Sequence, residues 1–329
     1  MVSPKDGKQT RRVARLAGKY CSIWNQAGIC EAIMSSKYEV RCNKDIILGL
    51  AKFWTSETNT FLFLWGEETI TLEDLMVLRG FPVLGRPVMT PVIGSMVEMV
   101  GEMEKKRVEM YRNTKAKKAC HWNWLRHFIE QKGCNYEHVA FLSLWLSRFV
   151  FPSLPEESIG KHVFPIAAHL SQGTRVALAH AVLAGLYKDL TFLKQQTLCC
   201  IEEISVASPF QLLQLWALER FQNILHVPPN ALKPGEPRAA RWHKVSSRIT
   251  LPLVRSVVQL AENFQWRPYA AVLSNWCHSS YYKEEKIRFV DSTNFSDENL
   301  QSYVKCLCAS ELVGVGGGKE KYLPHRVAM

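Results

Sequence analysis

Residues 60–88, TFLFLWGEETITLEDLMVLRGFPVLGRPV, admit few folds. Phe61, Phe63 and Trp65 alternate ahead of Gly66-Glu67, and Thr69 and Ile70 continue beyond. Two short strands about a tight turn have that pattern, so a small β-hairpin is expected near 61–70. Thr71 then opens a helix, its hydroxyl and the Asp74 carboxylate forming a capping box. Leu72, Leu75, Met76 and Leu78 supply the apolar stripe, Gly80 suits the left-handed position past the last turn, and Pro82 stops the helix.

Helical spacing dominates the rest. Residues 1–19 read as a flexible basic tail, with KQTRRVAR available as a nuclear-import patch. Ile23, Trp24, Ala27, Ile29 and Ile33, then Ile46, Ile47, Leu50 and Phe53, predict two helices about a polar break at 41–45. The charged, Met-rich stretch 95–120 reads as an exposed helix or insertion. Val139 to Phe151 is apolar on nearly every side except Arg148, which places it at the centre of the fold. Residues 164–193 predict one long or kinked helix, Phe210 to Phe221 another buried one, 226–240 an internal loop and 251–263 a helix. Ile287, Phe289 and Val290 predict a minor strand near 286–290, and Ser296 is expected to cap a helix that ends before the glycines at 316–318. The fold class expected is therefore mainly α, a multi-helix globular domain with the hairpin and the one minor strand.

A hydrophobic content of 47% over 329 residues is enough to bury a full core. The opening MVSPKDGKQTRRVARLAGK lacks an apolar segment, and HVAFLSLWLSRFVFPSL is interrupted by Arg148 and Pro152, so neither a secretory signal nor a membrane span is expected. Ten Cys without a scaffold-like spacing read as reduced thiols in the cytosol or nucleus. The net charge of +11 fits nucleic acid, an acidic partner or nothing specific. Its basic groups cluster at Lys5 to Lys19, at Lys105 to Lys118 and at Arg238 to Arg248, either as solvated linkers or as a nucleic-acid surface.

The blocks AKFWTSETNTFLFLWGEETITLEDL, HVAFLSLWLSRFVFPS, PFQLLQLWALERF, FQWRPY, IRFVDSTNFSDENLQSYVKCLCASELVG and YLPHRVAM resemble, in family order, successive parts of the plant mobile domain. The resemblance covers residues 20–329. It implies a non-enzymatic nuclear interaction or scaffold protein, located in the nucleus alone or in the nucleus and the cytoplasm. Family members are linked to transposon silencing, genome integrity and meristem maintenance, some alongside a phosphoprotein phosphatase as partner. The family's Gln-Phe-Gly and acidic continuation does not follow HRVAM, so a truncated C-terminal end is expected. The label "aminotransferase-like" often attached to the family finds no pyridoxal-phosphate motif here, so no cofactor is expected.

No GxSxG, P-loop or GxGxxG is present, and no catalytic residue is singled out. Cys120, His121, His127, Cys134 and His138 match no common zinc spacing and read as ordinary helix residues, as do Cys199-Cys200 and Cys306-x-Cys308. Glycines 314–318 read as a flexible link and Asp291-Ser292-Thr293 as a turn. Glu67, Glu68, Glu73 and Asp74 either pair structurally with Arg79 and Arg86 or present a charged surface. Trp122, Trp124, Trp145, Trp216 and Trp266 are assigned to the core. Trp242, among Arg238, Arg241, Lys244 and Arg248, is the exception: an exposed Trp in a basic string stacks on nucleic-acid bases, so these five residues are the candidate contact set for nucleic acid or a partner.

Overall fold

The computed structural model describes residues 6–114, 117–130, 136–198, 206–271, 273–277 and 297–327. Helix α1 (Asp6–Gln26) replaces most of the expected basic tail. Val13, Leu16 and Trp24 repeat at helical spacing beneath the Arg and Lys residues, and all three are buried. Helices α2 (Cys30–Ser35) and α3 (Lys44–Ala51) follow, with Asn43 capping α3 through its side chain.

Strands β1 (Trp54–Thr55), β2 (Thr60–Phe63) and β3 (Gly66–Glu68) form an antiparallel sheet in the order β1-β2-β3. Phe63 pairs with Gly66, so the hairpin forms but its turn falls at Leu64-Trp65, two residues ahead of the expected Gly66-Glu67, which instead pair in β3. Helix α4 (Leu72–Arg79) carries the expected capping box: Thr71 Oγ1 accepts from the Asp74 amide while the Thr71 amide donates to Asp74 Oδ2 at 2.7 Å. Gly80 ends α4 at φ 68°, and any Cβ there meets the Ala32 backbone nitrogen at 2.9 Å, so conformation and close packing both demand glycine.

Helix α5 (Ser95–Asn113) is largely exposed, anchored through Met103 and Met110. Helix α6 (His121–Leu125) continues into a π-helical turn over Arg126–Glu130, and α7 (Glu137–Trp145) into another over Leu146–Val150. The α7 segment lies at the centre, packed on α8 (Val163–Ser171), as its all-round apolarity requires. The single helix expected over 164–193 is instead α8 and α9 (Leu178–Leu198), separated where Val176 bridges to Arg86. Helix α10 (Gln211–Arg220) packs on α3 and α4, and α11 (Leu251–Val258) lies against α3.

The strand expected near 286–290, and Ser296, lie outside the described residues. Helix α12 (Glu298–Leu307) is capped by Asp297. The glycines read as a flexible link instead turn a hairpin between β4 (Ser310–Val313) and β5 (Lys319–Tyr322), closed by the Gly314 amide on the Gly318 carbonyl at 2.8 Å. The fold is mainly α-helical with small antiparallel sheets. Trp124, Trp145 and Trp216 are core, whereas Trp122 and Trp266 are about half exposed, contrary to expectation. Among the described residues no helix is long and apolar enough to cross a membrane.

Candidate functional site

An aromatic spine ties the hairpin to two distant segments. The Phe61 ring stacks on Trp216 at 5.4 Å, Phe63 meets Phe221 edge-on at 5.6 Å, and Trp65 lies 4.6 Å from Phe264 and 5.5 Å from Trp266. This brings three separated sequence blocks together: the hairpin with α4, the end of α10, and residues 264–269.

At their junction lies a buried cluster of charges. Glu219 and Arg220 are successive residues at the end of α10, so they point in directions about 100° apart. Glu219 faces a 3₁₀ turn, Arg238–Trp242, in which positions three apart share a side. Arg238 and Arg241 therefore converge on one carboxylate. Arg238 Nη2 and Nε donate to Glu219 Oε2 at 2.7 and 3.0 Å. Arg241 Nη1 reaches both oxygens at 2.8 and 2.9 Å, and Trp242 Nε1 donates to Oε1 at 2.7 Å.

Arg220 turns the other way, toward the capping residue of α4. Its Nη2 donates to Asp74 Oδ1 at 3.3 Å, and its Nη1 to the Trp266 carbonyl at 3.1 Å. Tyr269 joins the halves: its hydroxyl donates to Asp74 Oδ1 at 2.6 Å, and its ring lies 4.9 Å from the Arg238 guanidinium and 6.0 Å from that of Arg220.

Burial opposes the charge on Arg220, but Asp74, with Tyr269, Glu68 and Glu73 nearby, holds its pKa above the ordinary value. Burial also raises Tyr269, and the adjacent Asp74 charge raises it further. Glu68 has no such compensation: burial pushes its carboxyl up to about 8, against the pull of Arg220 and with the push of Asp74. It is therefore protonated at neutral pH. All four oxygens of Asp74 and Glu219 already accept from protein donors, so neither carboxylate is free to act as a general base. The cluster acts as a clamp on the fold.

Over it opens a cleft of about 540 Å³, whose walls include Gln222, Asn223, His226, Arg241 and Gln265. The rim offers amide and imidazole groups, suited to hydrogen-bonding an extended polar chain.

The five-residue contact set is divided. Arg238 and Trp242 are buried, 1% and 6% exposed, so Trp242 presents no face to a base. Arg241 is mostly covered, and only Lys244 and Arg248 are exposed. The string looks solvated in sequence because its counter-charge, Glu219, lies 19 to 23 residues upstream. A visible signal was the Glu-Arg pair ending an otherwise uncharged helix. The acidic cluster after the hairpin does pair structurally, but with Arg220 and Arg326 in place of Arg79 and Arg86.

The Cys/His group over 120–138 is dispersed. His138 accepts from Trp24 Nε1 at 3.0 Å and stacks on Tyr20. His121 bonds the Ser158 carbonyl and His127 packs on Phe128, while Cys134 lies outside the described residues. Among the described residues no three His, Cys, Asp or Glu side chains group as metal ligands.

The family model for the plant mobile domain matches residues 28–329. Among Arabidopsis thaliana proteins, the chain is 26% identical over 254 residues to "Serine/threonine-protein phosphatase 7 long form homolog", covering 68% of this chain and 18% of that protein. It is 26% identical to "Protein MAIN-LIKE 1" over 53% of this chain and 35% of that one. With "Protein MAINTENANCE OF MERISTEMS" the identity is 23%, over 54% and 37%. The chain thus spans well under half the length of each of these relatives. No solved structure matches it.

Proposed function

The chain belongs to the plant mobile domain family, and from that premise we propose that it is a non-enzymatic interaction domain that acts as a nuclear scaffold. The observation that carries this reading is the charge cluster. In the best-formed centre of the molecule, Asp74 and Glu219 are saturated by Arg220, Arg238, Arg241, Trp242 and Tyr269. Such a centre rigidifies the floor of a cleft and leaves neither of its carboxylates free to react.

The partner is a nuclear protein whose polar segment lies in the 540 Å³ cleft. A phosphoprotein phosphatase is the leading candidate, because a relative bears a phosphatase name. Roles in meristem maintenance and transposon silencing follow the family and the relative named for meristems. The direct nucleic-acid reading keeps only Lys244 and Arg248 as exposed cations of its contact set, which leaves it second.

The test is purification of the tagged chain from plant nuclei, with and without nuclease, alongside a His226→Ala/Gln222→Ala variant at the cleft rim. A stoichiometric protein that survives nuclease and is lost from the variant is the expected result. Association that vanishes with nuclease, and in vitro binding that falls steeply with salt, replaces the scaffold with the nucleic-acid reading.

A further inference from the structure

Among the described residues, Cys42, Cys120, Cys277, Cys306 and Cys308 have no second sulfur beside them. Cys21 and Cys30 do: their Sγ atoms lie 3.5 Å apart, and both side chains are half-buried.

The backbone arranges this meeting. Cys21 lies two turns from the end of α1, and Cys30 opens α2. The Gly28 and Ile29 amides donate to the Asn25 and Trp24 carbonyls at 3.0 and 2.9 Å, the Schellman pattern that ends a helix. Gly28 takes φ 71° to make it, and the reversal brings α2 back against α1. Ala27 and Ile29, fully buried, anchor either side of the turn. A disulfide bond is about 2.0 Å long, so closure asks roughly 1.5 Å of the two sulfurs, a matter of side-chain rotation.

The two thiols differ in environment. Asn25 Nδ2 donates to Cys21 Sγ at 3.7 Å, a hydrogen bond that favours sulfur in its thiolate form. Burial, with Cys21 alongside, pushes the Cys30 thiol up to about 11, so Cys30 keeps its proton at neutral pH. Cys21 is therefore the sulfur that an oxidant meets first, and Cys30 the one that resolves the product.

We propose that Cys21 and Cys30 are a site of reversible oxidation, closing to a disulfide when the chain meets hydrogen peroxide. The Cys21 thiolate attacks one peroxide oxygen. The S–O bond forms, the O–O bond breaks, and the departing hydroxide takes up the proton that Cys21 released. The Cys30 sulfur then attacks the Cys21 sulfenic acid. The S–S bond forms, the S–O bond breaks, and the second hydroxide leaves with the Cys30 proton as water. Two thiols and one peroxide become one disulfide and two waters. The open pair is the resting form in the cytosol or nucleus, where such links are transient. Closure fastens α1, whose Arg15 and Lys19 hold Glu137 only through exposed pairs, to the first residues of the family match.

Lys19 and Lys37 bracket both cysteines with no Lys or Arg between them, so trypsin releases the pair on one peptide, 20–37. The full chain is treated with peroxide, alkylated, digested and weighed. The expected 20–37 peptide is two hydrogens lighter than its reduced form, with neither cysteine alkylated, and a thiol reductant restores alkylation of both. In Cys30→Ser that species is lost and Cys21 is trapped by dimedone as the sulfenic acid. A second readout is stability: oxidation is expected to raise the wild-type Tm by a few degrees, by restricting the unfolded chain, and not to raise that of Cys30→Ser. Cysteines that stay alkylated, pass to sulfinic acid, or pair with other cysteines in place of each other overturn the proposal. A closed disulfide without a rise in Tm overturns the fastening of α1.

Discussion

Two carboxylates in this molecule gather nearly the same company. Glu137, at the start of α7, accepts from Arg15, Lys19 and the Tyr20 hydroxyl of α1. Glu219, at the end of α10, accepts from Arg238, Arg241 and the Trp242 indole. The first group stands in water: Glu137 is 17% exposed, and Arg15 and Lys19 are 54% and 61%. The second is dry, with Glu219 and Arg238 at 1%. Hydrated ions lose little when separated, whereas a buried ion that loses its partner stays without water. The same inventory of bonds is therefore an ornament in one place and a requirement in the other.

The comparison is broken most directly at Glu219. Glu219→Ala leaves two guanidiniums without their carboxylate and an indole N–H without its acceptor, and is expected to lower the unfolding free energy by about 3–5 kcal/mol. Denaturant melts measure it, and a loss no larger than that of Glu137→Ala would remove the distinction drawn from burial. Glu68 sharpens the same point through pH. Its carboxyl is raised to about 8 in the fold from an ordinary value of 4.5. Between those values the folded chain holds a proton that the unfolded chain has released. Stability is therefore expected to fall as pH rises through that window, by roughly 1 kcal/mol per unit, and to level off above it. In Glu68→Gln this slope disappears; a Tm–pH profile with the wild-type slope refutes the assignment. The smallest effect belongs to Glu137→Ala, a Tm change within about 2 °C that shrinks as salt is added.

What was legible in the sequence was local. The hairpin, the Thr71–Asp74 box and the Gly80 terminus each depend on residues a few positions apart; the box and the terminus formed as read, and the hairpin formed with its turn two residues earlier. The all-apolar run 139–151 announced its own central place. The site was not legible, because its logic is pairing at a distance: Arg238 shows its role only beside Glu219, and Tyr269 only beside Asp74. A run of Arg and Lys is identical on paper whether it faces water or a buried acid. Helix α1 was missed for a related reason. Its apolar stripe from Val13 to Trp24 is thinly spread among cations that in fact reach Glu137. Three of the six blocks that carried the family resemblance meet at the cluster, through Asp74, Glu219, Arg220 and Tyr269.

The hydrogen bond from Tyr269 to Asp74 joins residues 195 positions apart. On a translating ribosome, at about 5–20 residues per second, Asp74 waits roughly ten to forty seconds for that hydroxyl to be made. Until Arg220 is made the chain holds a strongly apolar hairpin and helix beside an Asp74 with no cation to pair with, and until Tyr269 is made the cluster stays open. Closure of the cluster therefore comes late in synthesis, after the long-range contact that completes it can form.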